Sequence, residues 1–438
     1  MDREIFGDVI RRAKKAGADQ ADILAVESKN ISVATRLAKL EKIVQADVID
    51  VKMRLFIGKR SAVVTTDNLD ELKGMSFIEK AIFAAKNSPE DEIEIRPNSD
   101  ELCKSFKEMD IFDAREISSE KLVSDALKCE KIALQIEGIT NSGGVEASYS
   151  CSKVMLIKNN DFLAEYQKTL NQISIITLAA RDGFLERAYD FSEKVYYSDL
   201  KSPEQVAKKS AERTLRKLGA KKIQSCKVPV VFDRMVSSQL LESFMEAING
   251  ASIAKGISFL GDKLFKKVFN RGLNIADRYA ISRGLRSRPF DSDGLECMNL
   301  FIVKDGVLNS FLLNTKYANK LGMKSTGNAY GFEGIAPNNV CIENGKKSFA
   351  DLLKSVKKGL YVTEVLGNGL NLVTGNYSQG AVGFWIENGE ITYPVSEITI
   401  AGNFLDMFSC CEVASDLEIE SGIDAPTLLV DGVVIGGI

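Results

Sequence analysis

The stretch Gly383-Phe384-Trp385-Ile386-Glu387-Asn388-Gly389-Glu390-Ile391-Thr392-Tyr393 decides how the second half of this chain folds. Asn-Gly supplies the two positive φ angles of a type I′ turn, so the apolar runs on either side pair as a β-hairpin. Phe301-Ile302-Val303-Lys304-Asp305-Gly306-Val307-Leu308 carries the same signal around Asp-Gly. Thr427 to Ile435, with Asp431-Gly432 at its centre, reads as a third hairpin. Beyond residue 295 the chain is therefore expected to be mostly strands and tight turns.

Working back from there, Val228 to Phe232 is a short apolar strand. Met235, Val236, Leu240, Leu241, Phe244, Met245 and Ile248 then recur at helical spacing. Ser202-Pro203-Glu204 opens an earlier helix, serine as N-cap and proline at the first turn, and Gly219 ends it. The boundary between halves falls near Gly219 to Lys227. Before it, strands are expected around Ala21–Glu27, Ile31–Thr35, Val48–Phe56 and Ala62–Thr66, with more from Val145 to about Tyr197. Helices are expected over Ile5–Ala13, Leu69–Ala85 and Ser118–Gln135, and an acidic surface connection over Pro89–Pro97. The fold class is α+β: an α/β N-terminal domain with an antiparallel sheet over residues 1–220, followed by a β-rich C-terminal domain over 221–438.

Composition narrows the chemistry. The 438 residues contain no histidine. That removes Ser-His-Asp, Cys-His and histidine-ligated zinc chemistry together, because imidazole is the usual base and metal ligand near neutral pH. The 57 basic and 60 acidic residues nearly cancel, so no nucleic-acid footprint is expected. No apolar run reaches the roughly 18 residues of a membrane span, and the start reads as an amphipathic helix rather than a signal peptide. A cytoplasmic location is expected. The eight cysteines form no C-x-x-C pair and read as free thiols; Cys410 and Cys411 are adjacent, with no histidine to activate them. Asp291-Ser292-Asp293-Gly294 resembles the start of a calcium loop, but Ile302 stands where the twelfth-position glutamate belongs, so an aspartate-capped turn is expected. No phosphate loop, dinucleotide fingerprint or G-x-S-x-G elbow is present.

Gly359 to Gly369, Val373 to Glu390 and Tyr393 to Asn403 form three consecutive glycine-rich runs. Together with Ser287-Arg288-Pro289-Phe290-Asp291-Ser292-Asp293-Gly294 and Leu321 to Gly327, they resemble the PmbA (TldE) branch of the TldD/PmbA family, also called modulators of DNA gyrase. The resemblance is specific from about Val228 onward and weaker before it. The catalytic TldD branch carries H-E-x-x-x-H on a helix after a short strand. Aligned on Asp233-Arg234-Met235-Val236-Ser237-Ser238, the histidine positions become Asp233 and Ser238 and the glutamate position becomes Arg234. Serine is a poor zinc ligand, and a guanidinium cannot act as a base. By the same resemblance, the later cysteine-bearing loop is absent here, and Gly422-Ile423-Asp424-Ala425-Pro426 leads almost directly into the last strands.

The resemblance thus implies a non-catalytic subunit of a cytosolic metallopeptidase complex that degrades or processes unfolded peptides. It implies no metal in this chain, zinc only in a TldD-like partner, an extended peptide as substrate, and a homodimer when the chain is alone. Asn376, Tyr377 and Ser378, in a glycine-flanked segment, are the candidate peptide contacts, and the lone Trp385 is read as core. Two alternatives stand beside this reading: an autonomous hydrolase using Ser237 or Ser238, and a regulatory protein acting on gyrase.

Overall fold

The computed structural model describes residues 3–91, 96–159 and 162–438. Residues 92–95 of the expected Pro89–Pro97 connection lie outside the described residues. The N-terminal half runs α1 (Arg3–Lys15), β1 (Gln20–Arg36), β2 (Lys39–Ile57), β3 (Arg60–Thr66), α2 (Ser76–Asn87), α3 (Ser119–Leu134), β4 (Asn141–Lys158), β5 (Leu163–Arg181), β6 (Phe184–Lys194) and α4 (Pro203–Lys217). Its strands form one antiparallel sheet in the order β3-β2-β1-β4-β5-β6.

Alternation along each strand sends one set of side chains to the helices. Ile23, Ala25, Val51, Met53 and Leu55 pack under α1 and α2 at one end. Ile31, Val33, Val145, Ala147, Ile173 and Ile175 pack under α3 and α4 at the other. The cap on α4 is as the sequence implies: Ser202 accepts from the Gln205 amide, and Pro203 opens the first turn.

The C-terminal half runs β7 (Cys226–Phe232), α5 (Arg234–Ala247), α6 (Gly250–Ala254), β8 (Ile275–Arg278), β9 (Leu300–Lys304), β10 (Val307–Leu308), α7 (Thr315–Lys320), β11 (Ala329–Tyr330), β12 (Gly334–Ile335), β13 (Asn339–Ile342), α8 (Phe349–Lys354), β14 (Lys358–Leu366), β15 (Asn376–Glu387), β16 (Glu390–Asn403), α9 (Phe404–Ser409), β17 (Cys411–Val413), β18 (Ile423–Asp424) and β19 (Leu428–Gly436). Strands β16-β15-β14-β7-β19 follow one another as neighbours, and β19 pairs back onto β16, closing a ring. A second sheet has the order β10-β9-β8-β13-β18. Helix α5 buries its apolar face against both, its Leu240, Leu241 and Phe244 sharing a core with Val230, Val362, Ile302 and Val340.

Four expectations need correction. Asp431-Gly432 does not turn a hairpin: β19 pairs with β7 on both sides of it, at Val430 and Val433, so the dipeptide is a bulge in one strand. The expected helix Leu69–Ala85 is a short 3-10 turn, Leu69–Leu72, and then α2, parted around Gly74. The two short strands expected over Ala21–Glu27 and Ile31–Thr35 are one continuous strand, β1. Residues 39–47 of β2, not expected as strand, extend it beyond the core with both faces exposed.

The halves are clasped by a buried ion network. Arg54 donates from Nη1 to Asp293 (2.9 Å) and from Nη2 to Asp22 (3.0 Å), and Lys158 meets Asp22 at 3.1 Å. The Arg54 guanidinium also lies 4.4 Å from the Phe332 ring centroid. Burial opposes these charges, but their partners outweigh it: Asp22 and Asp293 are held below the usual carboxylate range and Arg54 above its own. Asp291 is the turn cap expected, accepting from the amides of Asp293 (2.9 Å), Leu295 (3.0 Å) and Ala329 (3.0 Å).

Candidate functional site

Where β6 and α4 face the start of α5, the halves leave a cleft of about 960 Å³. Asp233, Arg234 and Ser238 all line it, together with Tyr361 and Glu364 of β14 and the segment from Asp416 to Thr427.

Local chemistry fixes each of the three. Asp233 is the N-cap of α5: its Oδ1 accepts from the Met235 amide (3.0 Å) and its Oδ2 from the Tyr361 hydroxyl (2.6 Å). Burial, reinforced by the Asp233 carboxylate, raises the Tyr361 hydroxyl pKa. Arg234 reaches across the cleft to Glu418 (2.5 Å) and to the Asp416 carbonyl (3.3 Å). Burial works against its charge, but Glu418, Glu420 and Asp233 hold its pKa above the ordinary value. Ser238 Oγ accepts from the Ala425 amide (3.0 Å), tying the helix to the segment before β19. Ser237 is fully buried and donates to the Phe232 carbonyl (3.2 Å).

The rest of the cleft is a lattice of opposite charges. Lys201 meets Glu420 (2.7 Å), Arg213 meets Asp190 (2.7 Å), and Lys217 pairs with Glu364. Arg216 lies 4.7 Å over the Phe384 ring. Asp424 accepts from the amides of Glu420 (3.1 Å), Ser421 (2.9 Å) and Gly422 (3.0 Å), which shapes the turn carrying Glu418 and Glu420. No group of three or more cysteine, aspartate or glutamate side chains is placed to hold a metal ion among the described residues. The donor set at the start of α5 does not suit zinc: one carboxylate already twice hydrogen-bonded, a guanidinium, and a serine oxygen engaged by an amide.

Asn376, Tyr377 and Ser378 begin β15, away from this cleft, with Tyr377 beside a smaller hollow of about 300 Å³. Gln239 and Glu242 of α5 line both spaces. Tyr377 is buried and donates to Gln379 Oε1 (2.5 Å), while Asn376 and Ser378 are exposed. The cysteines of the described residues are unpaired; Cys410 is exposed and Cys411 buried, its thiol pKa raised by burial. Reading the sequence singled out the start of α5 but missed Tyr361, Glu418 and Glu420. Tyr361 lies 128 residues beyond Asp233, Glu418 and Glu420 lie further still, and no local pattern marks them.

A strand leading into a capped helix, facing an antiparallel sheet across a charged cleft, defines a class of protein: the chain belongs to the PmbA/TldD metallopeptidase family. The model of the PmbA/TldA metallopeptidase C-terminal domain matches residues 225–437, and that of the central domain matches residues 112–218. Among its relatives, the metalloprotease PmbA of Escherichia coli O157:H7 is 33% identical over 440 residues, covering 99% of this chain and 97% of the relative. The crystal structure of a candidate modulator of DNA gyrase from Thermotoga maritima superposes with a TM-score of 0.89 at 28% identity, covering 99% of each chain. TldE from Thermococcus kodakarensis, at 20% identity, shares the fold, with a TM-score of 0.88 over 99% of this chain and 100% of that one. No helix among the described residues is long and apolar enough to cross a membrane.

Proposed function

We propose that this chain is the non-catalytic subunit of a two-subunit metallopeptidase of the TldD/TldE kind. It contributes its cleft to holding an extended, unfolded peptide in the cytoplasm, while a histidine-bearing, TldD-like partner supplies the zinc. Residues 1–220 and 221–438 act as its two domains, and alone it forms a homodimer. The observation that carries the reading is Arg234. At the position that the resemblance aligns with the general base of a catalytic subunit, this chain carries a guanidinium tied to Glu418. Asp233 and Ser238 support it, because both are engaged in holding the helix start and its neighbouring segment. Against an autonomous serine hydrolase, neither Ser237 nor Ser238 has a lysine among its hydrogen-bond partners.

The test is direct. The purified chain is expected to hold no stoichiometric zinc by elemental analysis and to leave unfolded peptides intact. Cleavage should appear on adding the histidine-bearing partner and vanish with a chelator. One tightly held zinc per lone chain, or chelator-sensitive cleavage without a partner, would falsify the reading. Capture of gyrase with no TldD-like subunit would favour the regulatory alternative.

A further inference from the structure

Between β17 and β18 the chain reads Ser415-Asp416-Leu417-Glu418-Ile419-Glu420-Ser421, and residues 416–419 belong to no helix or strand. Acidic and apolar residues alternate along it. Asp416, Glu418 and Glu420 line the cleft, whereas Leu417 and Ile419 do not. An extended chain sends successive side chains to opposite sides, so the segment presents its carboxylates to the cleft as an extended peptide would.

Both halves of the molecule hold it there. Arg234 of α5 takes Glu418 (2.5 Å) and the Asp416 carbonyl (3.3 Å). Lys201, just ahead of α4, takes Glu420 (2.7 Å), and Lys194, at the end of β6, donates to the Ile419 carbonyl (3.3 Å). The side chains of these two ion pairs keep 31–58% of their surface in solvent. Lys217 and Glu364, which also join the halves, keep 7% and 19%. Pairs as wet as the first two hold weakly.

Little else fixes the middle of the segment. The Leu417 amide donates to Asn344 Oδ1 (2.9 Å), and among the described residues the amides of Glu418 and Ile419 donate no hydrogen bond. The firmer anchors are at the ends. Asp416 accepts from the Thr427 amide (2.9 Å) and hydroxyl (2.8 Å), and Asp424 gathers the amides of Glu420, Ser421 and Gly422. The middle can therefore leave the cleft while both ends stay in place.

We propose that Leu417 to Glu420 is a self-inhibitory strap, and that the peptide that displaces it is an acidic one. In an extended peptide, carboxylates two residues apart are spaced by roughly 7 Å, as they are in the strap. Such a guest gives Arg234 and Lys201 new partners when Glu418 and Glu420 leave. An uncharged guest displaces the same strap and leaves both cations unmatched. The inference rests on the reading of the cleft as a peptide site and deepens it, naming the charge of the peptide and what it must displace.

The test uses the full chain and two fluorescein-labelled peptides, Ser-Asp-Leu-Glu-Ile-Glu-Ser and its uncharged counterpart Ser-Asn-Leu-Gln-Ile-Gln-Ser, with binding followed by anisotropy. The acidic peptide is expected to bind roughly tenfold tighter or more, and about 0.5 M salt should erase the preference in the wild type. Glu418→Gln with Glu420→Gln frees the strap and should tighten acidic-peptide binding roughly fivefold further. Arg234→Gln with Lys201→Gln also frees the strap but removes its cations, so the two peptides should then bind equally. Circular dichroism checks that each variant keeps the fold. Amide exchange at Leu417 should quicken when the acidic peptide is bound. Equal binding of the two peptides to the wild type overturns the proposal and leaves the cleft a peptide site, as does acidic binding that leaves Leu417 exchange unchanged. Failure of both peptides to bind any form overturns the proposal and the peptide-holding role together.

Discussion

The clasp around Arg54 and the cleft around Arg234 are built from the same groups, guanidinium against carboxylate, in different surroundings. Arg54, Asp22 and Asp293 keep 7%, 0% and 3% of their side-chain surface in contact with solvent. Arg234 and Glu418 keep 31% and 58%. In the first place water cannot replace a lost partner, so each charge depends on the others. In the second water can, so breaking the pair costs little. The clasp holds the two halves together, and the cleft between them keeps charges that can be re-paired.

Breaking the clasp should show the larger effect. Arg54→Met strands Asp293 without its cation and leaves Asp22 only Lys158 as an ion-pair partner, so a loss of about 3–5 kcal/mol in chemical unfolding is expected. A loss no larger than that at Arg234 would erase the contrast.

Acid should produce a smaller, graded loss. Asp22 and Asp293 have folded pKa values below the ordinary 3.8. Their contribution is complete above the unfolded value and disappears as pH falls through the folded ones. Asp291 runs the other way: burial and the neighbouring Asp293 charge push it up, so its contribution is complete at low pH and is lost as pH rises through its folded value. Unfolding free energy measured against pH should therefore peak on the acid side of neutrality. The limb below about pH 4 should flatten in Arg54→Met.

Within the cleft, Tyr361→Phe removes the hydroxyl that Asp233 accepts and should cost about 1–2 kcal/mol by thermal unfolding. Arg234→Ala should cost at most about 1 kcal/mol, because the pair is half in water, and should not confer zinc uptake. A cost of several kcal/mol there would make Arg234 a structural anchor and sharpen the comparison against the cleft reading.

Much of the secondary structure was legible because its causes are local. Ser202-Pro203 and Gly219 bound α4, and Asp305-Gly306 and Asn388-Gly389 turn hairpins with all four residues at positive φ. The same dipeptide at Asp431-Gly432 misleads, because β7 continues to accept β19 past it and only Gly432 adopts a positive φ. Residues 39–47 of β2 were missed for the opposite reason: with both faces exposed they carry no clean alternation to read. The site was half legible. Asp233, Arg234 and Ser238 stand together in the sequence, whereas the residues that answer them come from β6, α4, β14 and the segment before β19.

What the sequence determined alone is the inventory of chemistry: no imidazole anywhere, and turns and caps written into adjacent residues. What only the tertiary structure decided is which charges lie in water and which do not. Arg54 and Arg234 are the same residue type, and nothing within a few positions of either foretells the difference. The energy of an ion pair depends on distance and on the medium between its members, and both are set by segments hundreds of residues apart meeting in space.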